Sequence, residues 1–302
     1  MLFRSGTVIM KKILFLFLLL CMAFSCAQAE ETFESYSRVV DVPTLGAVQY
    51  YAQNDPQWKS MYYEPNPTKY RRRFGEGGCG PTTAAMAIAK QLDSDELTAL
   101  IAHSFDSVKD FAFCSCSVNG EFCDERYRRA KYGTSDPDHR EYIPESGEAF
   151  TQWLPIIFAS YAAGNNDHAY QLRKMKENGT EIFLFNALAV DYGLVYTGTR
   201  EWSEALAALQ DGASVITTVT QGIFTKGSHY LFLAGVDDEY LYIMDSDMRA
   251  QYRRDKHGYL EMLEPGLSRV RLDQAGELDL YSFYIISRPS DAQGGESDDH
   301  AS

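Results

Sequence analysis

Gly75-Glu76-Gly77-Gly78-Cys79-Gly80-Pro81-Thr82-Thr83-Ala84-Ala85-Met86-Ala87-Ile88-Ala89-Lys90 decides how the rest of the chain is read, because it sets one cysteine at the entry to a helix. Pro81 suits the first helical position, where its missing N–H costs nothing, and the Ala/Met/Ile run after it combines high helix propensity with an apolar face. A thiol at that entry lies in the positive end of the helix dipole, which favours thiolate, the nucleophilic form. Gly77, Gly78 and Gly80 strip side chains from around the sulfur and would let a substrate backbone approach. The same stretch also reads as a buried structural cysteine in a Gly-rich turn, so any partners must be sought elsewhere in the chain.

Two other stretches supply them. His229-Tyr230-Leu231-Phe232-Leu233-Ala234-Gly235-Val236, the acidic turn Asp237-Asp238 and Tyr240-Leu241-Tyr242-Ile243-Met244-Asp245 read as a β-hairpin. Folding about that turn brings His229 and Asp245 nearly opposite each other at the open end, close enough for the carboxylate to fix the imidazole tautomer. Upstream, Gln49 to Trp58 is a strand-like aromatic piece halted by Asp55-Pro56. It carries Gln53, whose amide could donate to a developing oxyanion; alone, Gln53 reads equally as a residue that satisfies its own turn.

At 302 residues and 45% hydrophobic content the chain can bury a sizeable core. Lys11-Lys12, the apolar run Ile13 to Phe24 and Ala27-Gln28-Ala29 make residues 1–29 a secretory signal peptide, cleaved after Ala29. The apolar run is too short for a spanning helix. Lipidation at Cys26 is the minor alternative, since Phe24-Ser25 fits the lipoprotein pattern poorly. The leader holds Arg4, Lys11 and Lys12 and no acid, so its removal takes the formal charge from −14 to −17. So acidic a chain argues against nucleic acid and anionic membrane as partners.

Of six cysteines, four follow the leader: Cys79, Cys114, Cys116 and Cys123. Export permits disulfides, yet Cys79 stands apart from the other three and is expected to be a free thiol.

In chain order, 30–48 is expected to be a linker or an edge strand into a domain over 49–289. The Cys79 helix should end near Lys90-Gln91, followed by a second helix from Asp93 to Ile101 capped by Asp93 or Ser94. From about 105 to 178 the composition shifts to an insertion. It contains the three clustered cysteines, a basic run at Arg126, Arg128, Arg129 and Lys131, and short helical pieces at Gln152 to Tyr161 and Ala169 to Met175. Thr180 to Tyr192 and Trp202 to Gln210 read as helices, the latter stopped by Asp211-Gly212. Ser214 to Thr220 reads as β, and Tyr259 to Leu263 and Leu280 to Ile286 as closing strands. The tail 290–302 is polar, acidic and expected to be disordered. No phosphate-binding loop, H-E-x-x-H or calcium-loop pattern is present in the sequence.

A Gln, a Cys at a helix start, then a late His and Asp is the chain order of papain-like cysteine peptidases. More closely, the chain resembles the bacteriocin-processing-type cysteine peptidases. Tyr51 to Trp58 looks like that family's opening Q-x-D-x-x-W block, Gly77 to Met86 like its nucleophile helix, and Gly227 to Gly235 with Ile243-Met244-Asp245 like its histidine hairpin. The stretches from Gly179-Thr180 to Leu194 and from Trp202 to Gly212 also fit.

The resemblance implies an α+β, papain-like fold in which an N-terminal helical part carrying the nucleophile packs on a C-terminal antiparallel sheet. It implies Cys79 as nucleophile, His229 as general base, Asp245 as its orienter and Gln53 as oxyanion donor, with no cofactor or metal. The expected function is that of a secreted peptidase hydrolysing a peptide or amide bond, acting as a monomer on a peptide or protein substrate, with no membrane attachment after leader removal. Two departures stand out. Ser246 follows Asp245 where the family has Pro, which leaves Asp247 as an alternative orienter, and the insertion is longer than relatives have.

A catalytically silent binding protein on the same fold is the alternative function. A metal module of Cys114, Cys116, Cys123 and His103 or His139 ranks below a disulfide, because C-x-C is tighter than the usual C-x-x-C of zinc sites. In the insertion, one disulfide is expected between Cys123 and either Cys114 or Cys116, stapling a lid or wall over Cys79.

Overall fold

The unbroken apolar run from Tyr230 to Ala234 has no polar alternation because its strand is covered on both faces. In the computed structural model, which describes residues 35–59, 74–99, 113–114, 141–142, 154–162, 180, 182–248 and 257–289, Tyr230, Phe232 and Ala234 face one core and Leu231 and Leu233 the other. The neighbouring strands divide the same way, Tyr242 and Met244 against Leu241 and Ile243, Ile216 against Val215. Side chains of successive residues leave a strand on opposite faces, so an all-apolar strand needs two covering layers.

The described residues fall in a compact unit spanning Ser35–Ser302. In chain order they form β1 (Arg38–Val42), β2 (Gly46–Tyr50), α1 (Phe74–Gly77), α2 (Cys79–Gln91), α3 (94–99), β3 (Phe113–Cys114), β4 (Glu141–Tyr142), α4 (Leu154–Ala162), α5 (Phe183–Asp191) and β5 (Val195–Thr199). Then come α6 (Trp202–Gln210), β6 (Ser214–Val219), β7 (His229–Val236), β8 (Tyr240–Met244), β9 (Glu261–Glu264), β10 (Leu267–Arg271), a 3-10 helix (Leu272–Leu278) and β11 (Leu280–Ser287). One seven-stranded sheet, ordered β5-β11-β6-β7-β8-β10-β9, is antiparallel at every pairing. Helices and a large antiparallel sheet together make an α+β architecture.

The first face of the sheet is covered by α2, α4, α5 and the β1–β2 hairpin, with Met86, Ile88, Phe158, Phe185 and Tyr50 among the buried side chains. Alanines at 84, 85 and 87 let α2 lie close to the strands, where Thr83 Oγ1 donates to the Tyr230 carbonyl and Ser214 Oγ to that of Ala87. The second face is closed by Ala205 and Leu209 of α6, one turn apart, and by Ala275 and Leu278 of the 3-10 helix. Helix α6 ends at Asp211-Gly212 as read from sequence, with Gly212 at φ +87°, a left-handed turn that costs glycine little. Asp93 caps α3, its carboxylate accepting from the Glu96 N–H while Glu96 accepts from the Asp93 N–H.

Several boundaries differ from expectation. Residues 35–48 run into a hairpin whose Val40, Val42 and Val48 are buried in the first core, so this stretch is part of the packed domain. The strand in Gln49 to Trp58 stops at Tyr50, and residues 51–58 turn because buried Asp55 gathers the backbone: its Oδ1 accepts from the Gln57 N–H, and its Oδ2 from Ser35 Oγ, the Tyr36 N–H and the Ser37 N–H and Oγ. Strands β5 and β10 were not anticipated, since Gly198 in one and Arg269 and Arg271 in the other mask their β character. Most of the insertion, the piece Ala169 to Met175, the leader and the tail lie outside the described residues.

Candidate active site

Three segments converge where α2 begins. The register of the central hairpin pairs Phe232 with Met244, and a bulge between Leu233 and Gly235 offsets the pairing toward the turn. One step beyond Met244, Asp245 faces the level of Leu231, so His229 and Asp245 meet on the diagonal rather than opposite each other. Their side chains close the gap, with His229 Nε2 2.7 Å from Asp245 Oδ1. Both are buried, at 7% and 1% exposure.

Asp245 is held from several directions. Its N–H donates to the Gly266 carbonyl at 2.9 Å, its carbonyl accepts from Tyr50 Oη at 2.8 Å, and Oδ1 also accepts the Asp247 N–H at 2.8 Å. Gly266 is at φ +92°, and a Cβ there would stand 2.4 Å from the Tyr50 ring, so both backbone and packing require glycine. It is thus the Asp245 carboxylate that meets the histidine, and Asp247 contributes its backbone to that carboxylate.

Cys79 is the first residue of α2, half-buried, and hydrogen-bonded to His229. Since Nε2 is engaged by Asp245, Nδ1 is the ring nitrogen left for the thiol. Burial pushes the Cys79 thiol up, but the hydrogen bond and charge of His229, with the N–H groups of Tyr230 and Gly80, outweigh it and hold the thiol below its ordinary range. For His229, burial pulls the pKa down, while the Asp245 charge and hydrogen bond, and then Cys79, drive it well above the usual imidazole value. The two shifts have one cause: charge separation between sulfur and imidazole, backed by a buried carboxylate.

Gln53 lies 3% exposed in the loop after β2. Its N–H donates to the Ser246 carbonyl at 3.0 Å, its Oε1 accepts from Ser246 Oγ at 3.0 Å, and its Nε2 donates to the Gly75 carbonyl at 3.2 Å. Gly75 lies in α1, the short helix that leads into Cys79. The structure therefore joins Cys79, His229 and Asp245 by direct contacts, and ties Gln53 to the segments on either side of them.

Two of the three glycines around Cys79, Gly78 and Gly80, serve a different purpose from the one anticipated. A Cβ on Gly78 would lie 2.6 Å from the Phe74 ring and one on Gly80 2.3 Å from Thr180, so the chain's own packing fills the space read as clearance for substrate. Helix α2 also starts two residues before Pro81, which falls within the first turn, where its missing N–H is still harmless. Thr180 and Ser246 are neighbours of the site that sequence reasoning did not assign a part in it. Ser246 was visible only as a departure from a pattern, and Thr180 carried no signal.

Cys79 is a free thiol. Cys116, Cys123, His103, His139 and the basic run lie outside the described residues, and of Cys114 only its strand β3 is described. Among the described residues no group of three or more His, Cys, Asp or Glu is placed to hold a metal ion, and no helix is long and apolar enough to cross a membrane.

No protein-family model matches the chain, and no curated protein matches it either. Among solved structures, the peptidase domain of Streptococcus ComA, a bifunctional ABC transporter involved in a quorum-sensing pathway, is similar at 16% identity and a TM-score of 0.28. The match covers 44% of this chain and 88% of that domain. At that TM-score the likeness decides neither family nor activity, and what stands is an α+β chain in which a half-buried thiol at a helix start meets a histidine backed by a buried carboxylate.

Proposed function

We propose that the protein is a thiol hydrolase, a cysteine peptidase of papain-like fold akin to the bacteriocin-processing type, exported by its leader and cutting a peptide or amide bond. One observation carries this reading: the unbroken chain of contacts from Cys79 at the start of α2 through His229 to Asp245, with the thiol pulled below and the imidazole pushed above their ordinary ranges.

In the resting site the Cys79 proton resides on His229 Nδ1, and Nε2–H donates to Asp245. The thiolate attacks the substrate carbonyl carbon, and the carbonyl electron pair moves onto oxygen. That oxyanion is met by the second Nε2 hydrogen of Gln53 and by the Cys79 N–H, which no carbonyl of its own helix can reach. As the tetrahedral adduct collapses, His229 gives its proton to the departing amine and leaves a thioester on Cys79. Water then attacks the thioester, losing a proton to His229, and the acid product and free thiol are released.

The test is hydrolysis of a peptide library by wild type and Cys79→Ala, together with iodoacetamide labelling of wild type near neutral pH. The expected result is labelling at a pH where an ordinary thiol is protonated, and loss of hydrolysis by at least about four orders of magnitude in the variant. A wild-type thiol that labels only near its ordinary range, with no peptide cut, overturns the reading in favour of a binding protein on this scaffold.

A further inference from the structure

The segment directly after β8 does two jobs in consecutive residues. Asp245 receives His229, while Ser246, wholly buried, grips Gln53 twice: its carbonyl accepts the Gln53 N–H and its hydroxyl donates to Gln53 Oε1, both at 3.0 Å. A glutamine amide can sit either way round, and the two orientations present opposite charge to a ligand. Here the Gly75 carbonyl, which can only accept, takes one Nε2 hydrogen at 3.2 Å, and the Ser246 hydroxyl completes the pattern by holding Oε1 on the other side.

We propose that Ser246 is a positioning residue for oxyanion stabilisation, fixing the Gln53 amide so that its remaining N–H faces the carbonyl oxygen of the bond under attack by Cys79. This rests on the hydrolase reading above. Oxyanion donors accelerate a reaction only when they are already aimed at the place where charge develops, because reorienting them during the step forfeits the gain. The Gly75 carbonyl selects the orientation of the amide, and the buried Ser246 hydroxyl holds Oε1 in it. Proline, expected at this position from the family pattern, has no hydroxyl, so here the carboxylate's neighbour has taken on a task of its own. The coupling is also spatially economical: one turn of chain sets the base and the oxyanion donor relative to each other, and the Tyr50 hydroxyl on the Asp245 carbonyl anchors that turn.

Two probes separate this role from damage to the ion pair. Iodoacetamide alkylation needs only the thiolate and passes through no oxyanion; acylation by p-nitrophenyl acetate, read as the burst of nitrophenolate, passes through one. The full-length protein is compared with Ser246→Ala, Gln53→Ala and the double variant. Gln53→Ala should slow acylation about 10²-fold and Ser246→Ala about tenfold. The double variant should be no slower than Gln53→Ala alone, and alkylation should keep its rate and pH midpoint in all three. Acylation unchanged in Ser246→Ala overturns the proposal. So does a double variant slower than Gln53→Ala, or alkylation that falls with acylation, since either places Ser246 in general packing or in the ion pair. A wild-type thiol that neither acylates nor alkylates at neutral pH overturns the hydrolase reading itself, and this proposal with it.

Discussion

The two faces of the sheet are built from alternate residues of the same strands, yet they solve different problems. The second face is closed by Ala205, Leu209, Leu231, Leu233, Leu241 and Ile243, with apolar contact as its binding force. The first face has an apolar layer of similar make, and at the end of the sheet where α2 begins buried polar groups gather: Gln53, Asp55, Thr180, His229, Asp245 and Ser246. Burying such groups costs stability unless each is hydrogen-bonded, and even then gains little over apolar packing. The apolar layers are therefore built for holding together, and the end of the sheet where α2 begins carries a polar cluster that packing alone does not call for.

Asp245→Asn cuts deepest into that contrast. The amide keeps the shape and removes the charge that drives the His229 pKa upward. The imidazolium then loses support, the thiolate loses its counter-charge, and the Cys79 pKa rises. Turnover should fall roughly 10²-fold, and the midpoint of iodoacetamide alkylation should move to higher pH. A midpoint that stays in place breaks the link between the buried carboxylate and the thiol.

Leu233→Ala asks the converse on the second face. Leu233 is fully buried and lies in the central strand, so its truncation should cost about 2–5 kcal/mol in denaturant unfolding. The alkylation rate of Cys79 per folded molecule should be unchanged. If that rate falls as well, the two faces are not separable in the way described.

The smallest effect belongs to the far end of α2. Lys90 is half-buried beside the turn that follows α6, Nζ donating to the carbonyls of Gly212 and Ala213, and burial lowers its pKa to about 8. Between that value and the unfolded value of about 10.4, the unfolded chain carries a proton that the folded chain has lost, so folding stability should rise with pH across this window. Below about 8 both states are protonated and this contribution to the slope vanishes. Lys90→Met should remove it, measured as the difference in melting temperature between wild type and variant at successive pH values. An unchanged slope would mean that Lys90 stays charged where it is docked.

Much of this was legible from local pattern. The Cys79 helix, α6 with its Gly212 stop, and the β7–β8 hairpin all have strong periodicity or turn chemistry, and each appears close to its expected span. Gln53, His229 and Asp245 were legible because their neighbourhoods were. What escaped depends on contacts distant in sequence. The diagonal meeting of His229 and Asp245 comes from a bulge that no residue between 233 and 235 announces unambiguously. The crowding of Gly80 depends on Thr180, a hundred positions away and arriving from another element. The early end of β2 reflects Asp55 reaching back to Ser35 and Ser37, a carboxylate whose partners lie on the far side of the whole β1–β2 hairpin.

The strand order has a consequence for how such a chain comes into being. β11 lies between β5 and β6, with Phe283 level with Thr199 on one side and Thr217 on the other. During synthesis from the N-terminus, β5 and β6 emerge well before the strand that joins them, and among the described residues β5 has no other partner in the sheet. Until the ribosome has delivered residues 280–287, both strands present unpaired backbone to their surroundings, the condition under which nascent β-proteins pair wrongly. The sheet therefore cannot be completed as it is made. It waits for nearly the last of the described chain, and truncation before Leu280 leaves β5 stranded however well the rest has folded.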